Sequence, residues 1–328
     1  MPDHVSRRGF LSQSLAAAGA IAAAHAAVAA EPAPAAPPLP AGSVPNPVPC
    51  GILGKAKISR LMLGGNLVSG YMHSRDLKYV NSLFRAYVTE QKMMETLALA
   101  EKHGINTVFE TGAKFIQKYN KEFGGKMQFI PHIQIHRDRT EQQLIDHIQE
   151  QVDSGAVALY VWGVSGDQLI AAGEVKMLAR GVELAKKHGL PVGVGSHSLL
   201  VPMACEKEKV PCDFYVKTFH SDNYPSATPK ELRKEFIWLT GGKGWYDNMW
   251  CINPEETIEF MKSVEKPWIA FKVLAAGAFQ PVDGFKYAIQ NGADFMAVGM
   301  FDFQIKDNCN VATRLIKEHQ TRARPWRA

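Results

Sequence analysis

The sequence predicts an α/β protein that forms a single-domain (β/α)8 barrel, or TIM barrel, and three observations support this prediction. From Ile58 onward, short apolar runs alternate with segments of helical periodicity, which is typical of a parallel sheet covered by helices. Eight such runs occur, more than a doubly wound sheet usually contains. Residues 50–328 remain after an N-terminal signal and spacer are set aside, and a typical barrel needs about 250 residues.

Each predicted strand is a short apolar run bounded by turn residues. The eight strands are predicted over residues 58–63, 107–110, 128–133, 157–162, 191–195, 214–218, 268–274 and 295–299. Apolar residues at helical spacing predict helices over residues 91–103, 141–151, 168–188, 229–236, 254–264, 284–291 and 311–319. Gly104, Gly189 and Gly292 each separate a predicted helix from the next strand, as a glycine just past a helix does.

Composition excludes several classes of protein. The 328 residues are 46% hydrophobic and 21% charged and contain only five cysteines, so a disordered chain and a small disulfide-stapled domain are both excluded. The formal net charge of +5 is small and no basic run occurs, so nucleic acid is not an expected partner. We expect a small-molecule substrate.

The N-terminus has the features of an export signal. Arg7 and Arg8 are followed by Gly-Phe-Leu and by a short Ala/Gly-rich stretch, which resembles a bacterial twin-arginine (Tat) signal peptide over residues 1–30. The resemblance implies export through the Tat machinery, to the periplasm. A stable membrane anchor is not expected, because the stretch is short and interrupted by His25. The Pro/Ala-rich residues 31–49 are predicted to be an extended linker.

The five cysteines are expected to be buried free thiols. Their number is odd, and a protein exported by this route folds in the reducing cytoplasm. Pairing of Cys205 with Cys212 after export is the alternative.

Polar residues cluster where the predicted strands end, and in a (β/α)8 barrel the carboxyl ends of the strands form the active site. Glutamate, histidine and lysine side chains are therefore expected to converge on one cavity. These residues are Glu110, His132, His136, His197, Lys217, His220 and Lys272. For each of them, a structural hydrogen bond or salt bridge is the alternative role.

Two chemistries fit this set. Glu110, His132, His136, His197 and His220 offer ligands for a divalent metal such as Zn, Mn or Fe, with Glu110, His132 and His136 favoured as metal ligands or acid/base groups. Alternatively, Lys217 or Lys272, with a pKa lowered by burial, acts as a base or forms a Schiff base with a carbonyl substrate. The catalytic residues are thus expected among Glu110, His132, His136, Lys217 and Lys272.

Two long loops are candidates for substrate binding. The segment after the sixth strand is long enough to form a lid, and its Trp245 and Trp250 suit stacking on a sugar or another flat ligand. Packing of these rings on the barrel is the alternative. The loop after the first strand contains Arg75, a candidate anion clamp whose alternative partner is Asp76.

Four segments resemble the aldo/keto reductases, a superfamily of NADP-dependent barrel oxidoreductases. They are residues 58–66, 104–112, 270–277 and 291–300. The resemblance implies a barrel and a nicotinamide site, for which Gly277, Gly299 and Asp302 are candidate cofactor-binding residues and Lys306 and Arg314 candidate phosphate partners.

The catalytic tetrad of that family is not preserved in this chain. Glu110 occupies the position of its aspartate and Phe115 the position of its tyrosine. His132 or His136 stands where the family has lysine, and the fourth strand ends in Tyr-Val-Trp without histidine. Phe115 has no hydroxyl group to protonate a carbonyl oxygen, so the usual hydride transfer lacks its acid.

The sequence therefore predicts an exported enzyme with an aldo/keto reductase-like barrel. Its expected chemistry is metal-assisted or acid/base catalysis, as in an isomerase, lyase or hydrolase, on a small hydroxylated carbonyl or sugar-like substrate. The alternatives are an NADP(H)-dependent reductase with a non-standard proton donor and a non-catalytic ligand-binding barrel.

Overall fold

The computed structural model describes residues 44–66, 69–77 and 79–328, so the predicted signal peptide lies outside the described residues. The strands in this part of the chain are β1 (Cys50–Leu53), β2 (Ala56–Ser59), β3 (Leu61–Gly64), β4 (Thr107–Glu110), β5 (Gln128–Ile133), β6 (Leu159–Val161), β7 (Val192–Ser196), β8 (Phe214–Thr218), β9 (Trp268–Phe271) and β10 (Phe295–Val298). Eight of them close a barrel in the order β10-β3-β4-β5-β6-β7-β8-β9, and every neighbouring pair is parallel. The predicted (β/α)8 fold is confirmed.

Helices follow the barrel strands and cover the outside of the sheet. They are α1 (Val80–Tyr87), α2 (Glu90–Lys102), α3 (Ala113–Phe123), α4 (Glu141–Asp153), α5 (Gly163–Ala171), α6 (Val175–Lys186), α7 (Leu200–Lys207), α8 (Ile237–Thr240), α9 (Pro254–Ser263), α10 (Pro281–Gln290) and α11 (Asp302–Glu318). Within the described ranges, no helix is long and apolar enough to cross a membrane.

Two predicted helices are wrong, and each has a local cause. The helix predicted over 168–188 is two helices, α5 and α6, because Gly173 between them has a left-handed φ of 76°. Of the helix predicted over 229–236, only a three-residue 3-10 turn forms. There the Arg233 guanidinium donates to the carbonyl oxygens of Thr228 and Ile252 and pairs with Asp222, so side-chain bonds replace a helical ladder.

The first predicted strand, 58–63, is also two elements. β1 and β2 form an antiparallel hairpin, and the chain turns at Arg60 before it enters the barrel as β3. Leu53 and Ile58 of the hairpin are fully buried against Met62 and Phe295 from the barrel interior. The hairpin therefore closes the barrel at the end opposite the carboxyl ends of the strands.

The last residues of the predicted linker pack on the barrel. The backbone N–H groups of Val44 and Val48 donate to the carbonyl oxygens of Lys102 and His103 at the end of α2. Val48 is buried. Residues 44–49 therefore belong to the packed structure, and residues 31–43 lie outside the described part.

A buried ion cluster joins the C-terminal segment to strand β10. The Asp294 carboxylate accepts hydrogen bonds from Arg322 at 2.9 Å and Arg324 at 2.7 Å. It also accepts the backbone N–H of Trp268, which starts β9, at 2.9 Å. Asp294 and Arg324 are each 1% exposed, so these charges rely on each other for stabilisation.

We expect Asp294→Asn to lower the free energy of unfolding by about 3–5 kcal/mol, because it leaves buried guanidinium groups without a counter-charge. Urea unfolding measures the change. Glu259→Gln is the matched control, since Glu259 pairs with Lys262 on the exposed surface of α9, and should cost no more than about 0.5 kcal/mol. Equal effects of the two substitutions would contradict this account.

Candidate active site

A cavity of about 640 Å³ opens at the carboxyl ends of the barrel strands. Its size is within the range of ligand-binding sites, and its position is where barrel enzymes hold their substrates. Ionisable and aromatic side chains from at least six different strand ends and loops line it. Among them are His73, Glu110, His132, Trp162, His197 and Lys272.

Glu110 and Lys272 both have left-handed backbone conformations, with φ values of 89° and 57°. Glu110 is the last residue of β4, and Lys272 directly follows β9. Such a conformation costs of order 1–3 kcal/mol for a residue other than glycine, and it persists where the surroundings over-determine it. Because such conformations cluster at functional sites, two of them in one cavity make it the candidate active site.

Burial shifts the pKa values of these two groups toward each other. It raises the pKa of the Glu110 carboxyl above its usual range, against the opposing effects of the Lys272 charge and a hydrogen bond from the Trp162 side chain. Burial lowers the pKa of Lys272 to about 8, an effect that the negative charges of Glu110 and Asp247 partly offset. Both groups therefore titrate closer to neutral pH than their exposed counterparts.

A chain of hydrogen bonds connects Lys272 to an acid at the cavity wall. His73 Nδ1 donates to Asp247 Oδ1 at 2.7 Å, and this bond leaves Nε2 as the acceptor of the ring. Lys272 Nζ donates to His73 Nε2 and also lies 3.9 Å from the centre of the Trp250 ring. Burial, followed by the Lys272 charge, lowers the pKa of His73, so the imidazole is neutral.

His197 lines the same cavity and is held by a second buried acid. Asp167 is fully buried, and it accepts the backbone N–H groups of His197 and Ser198 as well as His197 Nδ1–H at 2.7 Å. Burial lowers the pKa of His197 well below its usual value. The ring is therefore neutral, with Nε2 as its hydrogen-bond acceptor.

His132 points into the barrel, as its position in β5 predicts. Its ring stacks on Trp162 at 5.4 Å, and Nε2 accepts the side-chain amide of Gln134 at 3.1 Å. Burial lowers its pKa to about 4. His132 is a neutral wall residue of the cavity.

The structure corrects the placement of His136. Strand β5 ends at Ile133, so the alternation that would align His136 with His132 does not extend that far. His136 lines a separate hollow beside Arg137 and Asp138. It does not line the main cavity, and its link to the cavity wall is through Gln134, whose side chain hydrogen-bonds both His136 and His132.

The placements of His220 and Lys217 also require correction. His220 Nδ1–H donates to the carbonyl oxygen of Ser221, and Nε2 accepts the backbone N–H groups of Trp250 and Cys251, each at 3.0 Å. Lys217 is fully buried and donates to the backbone and hydroxyl oxygens of Thr218. Both side chains stabilise the loop after β8 and neither lines the cavity.

The five predicted metal ligands consequently do not form one coordination site. Glu110, His132 and His197 line the main cavity, but His136 and His220 do not. No group of three or more His, Cys, Asp or Glu side chains within the described residues has an arrangement that could hold a metal ion.

Two of the three candidate cofactor residues line the main cavity, and the third does not. Gly277 and Gly299 line the cavity. Asp302 does not; it starts helix α11 and accepts hydrogen bonds from the Tyr87 hydroxyl at 2.6 Å and from Lys92 at 3.1 Å.

The candidate substrate residues divide as well. Trp250 lines the cavity, whereas Trp245 packs edge-on against Trp250 at 5.2 Å and donates its indole N–H to Met249. Arg75 is exposed on the loop after β3 and does not line the cavity; its near neighbour His73 does.

Sequence reasoning did not identify Asp247, Asp167 or Trp162 as functional residues. Trp162 directly follows β6 and Asp167 lies in the first turns of α5, so the strand-end rule could have found them. Asp247 lies in the long segment between β8 and β9, and no pattern of the chain pairs it with His73.

Comparison with known proteins supports the fold. No protein-family model and no curated protein matches the chain. Two solved structures from Pseudomonas aeruginosa that are assigned to the aldo-keto reductases match with TM-scores of 0.53 and 0.54. Their sequences are 13% and 14% identical to this chain. The matches cover 81% and 83% of this chain, and 95% and 99% of the lengths of the two matched chains.

A truncated 3-deoxy-D-arabino-heptulosonate 7-phosphate synthase from Thermotoga maritima also matches, with a TM-score of 0.48, 11% identity and coverage of 84% of this chain and 95% of that one. The expected resemblance to the aldo/keto reductase fold is thus confirmed. Identities this low establish the shared barrel alone, and the chemistry has to be argued from the site.

The hydrogen bonds of His220 generate a prediction about stability. Burial lowers its pKa to about 4, below the unfolded value of about 6.5. Between these values the unfolded chain binds more protons, so the folded protein loses stability as the pH falls. For His220 we expect a loss of about 2 kcal/mol between pH 7.5 and pH 5.

Urea unfolding of His220→Gln at both pH values tests this expectation. The substitution should remove this part of the pH dependence, whereas His188→Gln, at a half-exposed surface position, should retain it. If the pH dependence of His220→Gln equals that of the wild type, the neutral His220 ring does not stabilise the loop.

Proposed function

We propose that this chain is an enzyme that moves protons on a small hydroxylated carbonyl compound, as an isomerase or a lyase does. The observation that supports the proposal is the pair of Glu110 and Lys272, which line one cavity and whose pKa values burial shifts in opposite directions. Enzymes prepare a general acid and a general base for work near neutral pH by such environments. The two structural matches assigned to the aldo-keto reductases agree with the broader assignment as an enzyme.

The two groups would act on opposite parts of the substrate. Removal of a proton next to a carbonyl group places negative charge on the carbonyl oxygen, and a nearby ammonium stabilises that charge. With a pKa of about 8, Lys272 is about nine-tenths protonated at neutral pH and can fill this role. Glu110 in its ionised form would accept the proton and return it to a neighbouring carbon or to a leaving oxygen.

The cavity wall suits a hydroxylated substrate. The rings of Trp162 and Trp250 offer flat apolar surfaces for the C–H faces of a sugar-like molecule. His197 supplies a neutral ring nitrogen that can accept a hydroxyl hydrogen. Trp250 is retained from the predicted substrate contacts, and Trp162 and His197 replace Trp245 and Arg75.

Neither cofactor considered from the sequence fits the residues present. A metal would need at least three ligands arranged around one point, and no group of three or more His, Cys, Asp or Glu side chains among the described residues is so arranged. A nicotinamide dinucleotide would need cations for its phosphates, but the start of α11 carries the Asp302 carboxylate, and Lys272 is the one Lys or Arg among the described residues that line the cavity. The proposed mechanism therefore uses side chains alone.

Export remains a proposal from the N-terminal sequence. We propose that residues 1–30 direct the folded protein through the Tat machinery to the periplasm, on the resemblance of the segment with Arg7 and Arg8 to a twin-arginine signal.

Glu110→Gln tests the proposed base, because glutamine keeps the size of the side chain but cannot accept the proton. The assay is exchange of solvent deuterium into the C–H bond next to the carbonyl group, followed by NMR over a panel of glyceraldehyde, dihydroxyacetone, pentoses and hexoses. We expect the variant to lose at least about 100-fold in exchange rate. His136→Gln, outside the cavity, should exchange like the wild type. Absence of exchange with every compound, or full exchange in Glu110→Gln, would refute the proposal.

The pH profile tests the role of Lys272. The exchange rate should rise as Glu110 ionises and decline again above about pH 8, where the Lys272 ammonium loses its proton. If Lys272 acts through its charge alone, Lys272→Arg should retain a measurable rate and lose the decline on the alkaline side, since a guanidinium stays protonated. A profile whose alkaline limb is the same in both proteins would assign that limb to another group.

A further inference from the structure

We propose that Lys272 is also a nucleophile that forms a covalent imine with an aldehyde or ketone, and that His73 and Asp247 remove the proton that keeps its amine unreactive. The inference rests on the proposed function, because it uses the same cavity and the same class of carbonyl substrate. In the proposed function Lys272 acts through its charge; here it also forms a covalent bond to the substrate.

The arrangement around Lys272 is that of an activated nucleophile. A nucleophile needs a base within hydrogen-bond reach, and the base needs a third group that orients it. His73 Nε2 accepts from Lys272 Nζ, and Asp247 holds His73 Nδ1–H at 2.7 Å. The carboxylate would stabilise the imidazolium that forms when His73 takes a proton from the ammonium.

Lys217 shows by contrast that this arrangement is specific to Lys272. Both lysines lie at the carboxyl ends of neighbouring barrel strands; Lys217 is fully buried, and Lys272 is largely buried at the cavity wall. Lys217 Nζ donates to the two oxygens of Thr218 at 2.8 and 3.1 Å and lies outside the cavity lining. Of the two lysines, Lys272 alone contacts a base, and it alone lines the cavity in which a carbonyl carbon can approach.

The groups that face Lys272 determine its charge. Glu110 and Asp247 are the acids that favour the ammonium, and the Trp250 ring lies 3.9 Å from Nζ as a further favourable partner. His73 and His197 are neutral rings and do not oppose it. Loss of the Lys272 proton to His73 therefore leaves two negative groups and one imidazolium in place, with the total charge unchanged.

The steps balance without a redox change or a further reactant. Lys272 gives one proton to His73, and the free amine attacks the carbonyl carbon, which forms the C–N bond. A proton moves from that nitrogen to the oxygen and gives a carbinolamine. The His73 imidazolium then returns its proton to the hydroxyl group, the C–O bond breaks, water leaves, and a protonated imine remains. Glu110 stays a carboxylate, the form that accepts the neighbouring C–H proton.

Reductive capture tests the imine. The full chain is incubated with dihydroxyacetone and sodium cyanoborohydride at neutral pH, and modified lysines are located by peptide mass spectrometry. We expect Lys272 to be modified at least about tenfold faster than exposed lysines, because more of its amine is unprotonated. Lys217 in the same sample is the buried control and should stay unmodified.

Lys272→Arg separates the imine from the proposed function. If Lys272 forms the imine, the variant should give no adduct in the segment that contains position 272, and its deuterium exchange should fall at least about 100-fold. Exchange in the wild type without an adduct on Lys272, with exchange largely retained in Lys272→Arg, would overturn the imine and leave the proposed function intact. Absence of both exchange and adduct would overturn both.

His73→Gln tests the proton acceptor through its pH dependence. At about pH 6.5, where Lys272 is an ammonium, capture should slow at least about tenfold; at about pH 9.5, where the amine is already free, it should stay within about twofold of the wild type. Equal slowing at both pH values would assign His73 a purely structural role and overturn the relay. Asp247→Asn should show the same pattern and serves if His73→Gln fails to fold.

Discussion

The buried ammonium of Lys272 imposes the requirements that the rest of the site meets. A cation removed from water needs nearby negative charge, hydrogen-bond acceptors or aromatic faces, or it loses its proton. Glu110, Asp247 acting through His73, and the Trp250 ring supply these three kinds of partner. They come from β4, the loop after β3 and the long segment before β9, so satisfying one charge brings together chain segments that are distant in sequence.

The polar residues at the strand ends form two layers with different roles. Glu110, His197 and Lys272 face the cavity, whereas Lys217 and His220 lie behind it and bond to the loop after β8. The second layer positions the first, because the backbone that His220 holds carries Trp250. Histidine and lysine are thus as useful for ordering a long loop as for chemistry, and residue type alone does not separate the two uses.

The barrel and its chemistry are independent properties of this chain. Its backbone matches structures assigned to the aldo-keto reductases, yet Phe115 stands where that family has its catalytic tyrosine, and the lysine of the cavity follows β9. A barrel supports such divergence because its strands fix the sheet while the loops at their carboxyl ends carry the reactive groups. The likeness therefore shows the shared barrel, and both the site and its reaction have to be argued from this chain's own residues.

The sequence by itself determined the barrel, its eight strands and the end at which the site lies. The predicted bounds of β4, β5 and β8 match the structure, because short apolar runs between turn residues are local signals. Glu110 was identified for the same reason, as a polar residue that ends such a run. Lys272 was identified as a polar residue within the predicted strand 268–274, which in the structure ends at Phe271. Helix 229–236 failed because the Arg233 side chain, reaching distant carbonyl groups, satisfies the backbone instead.

Only the tertiary structure decided which polar residues meet. His73 and Asp247 are 174 positions apart, and their pairing depends on how two long loops fold over the barrel. His136 left the predicted set because β5 ends three residues before it, and His220 left it because backbone N–H groups of a later segment occupy its ring nitrogen. Strand-end position follows from local pattern, whereas the direction and partners of a side chain follow from packing between segments that no local pattern relates.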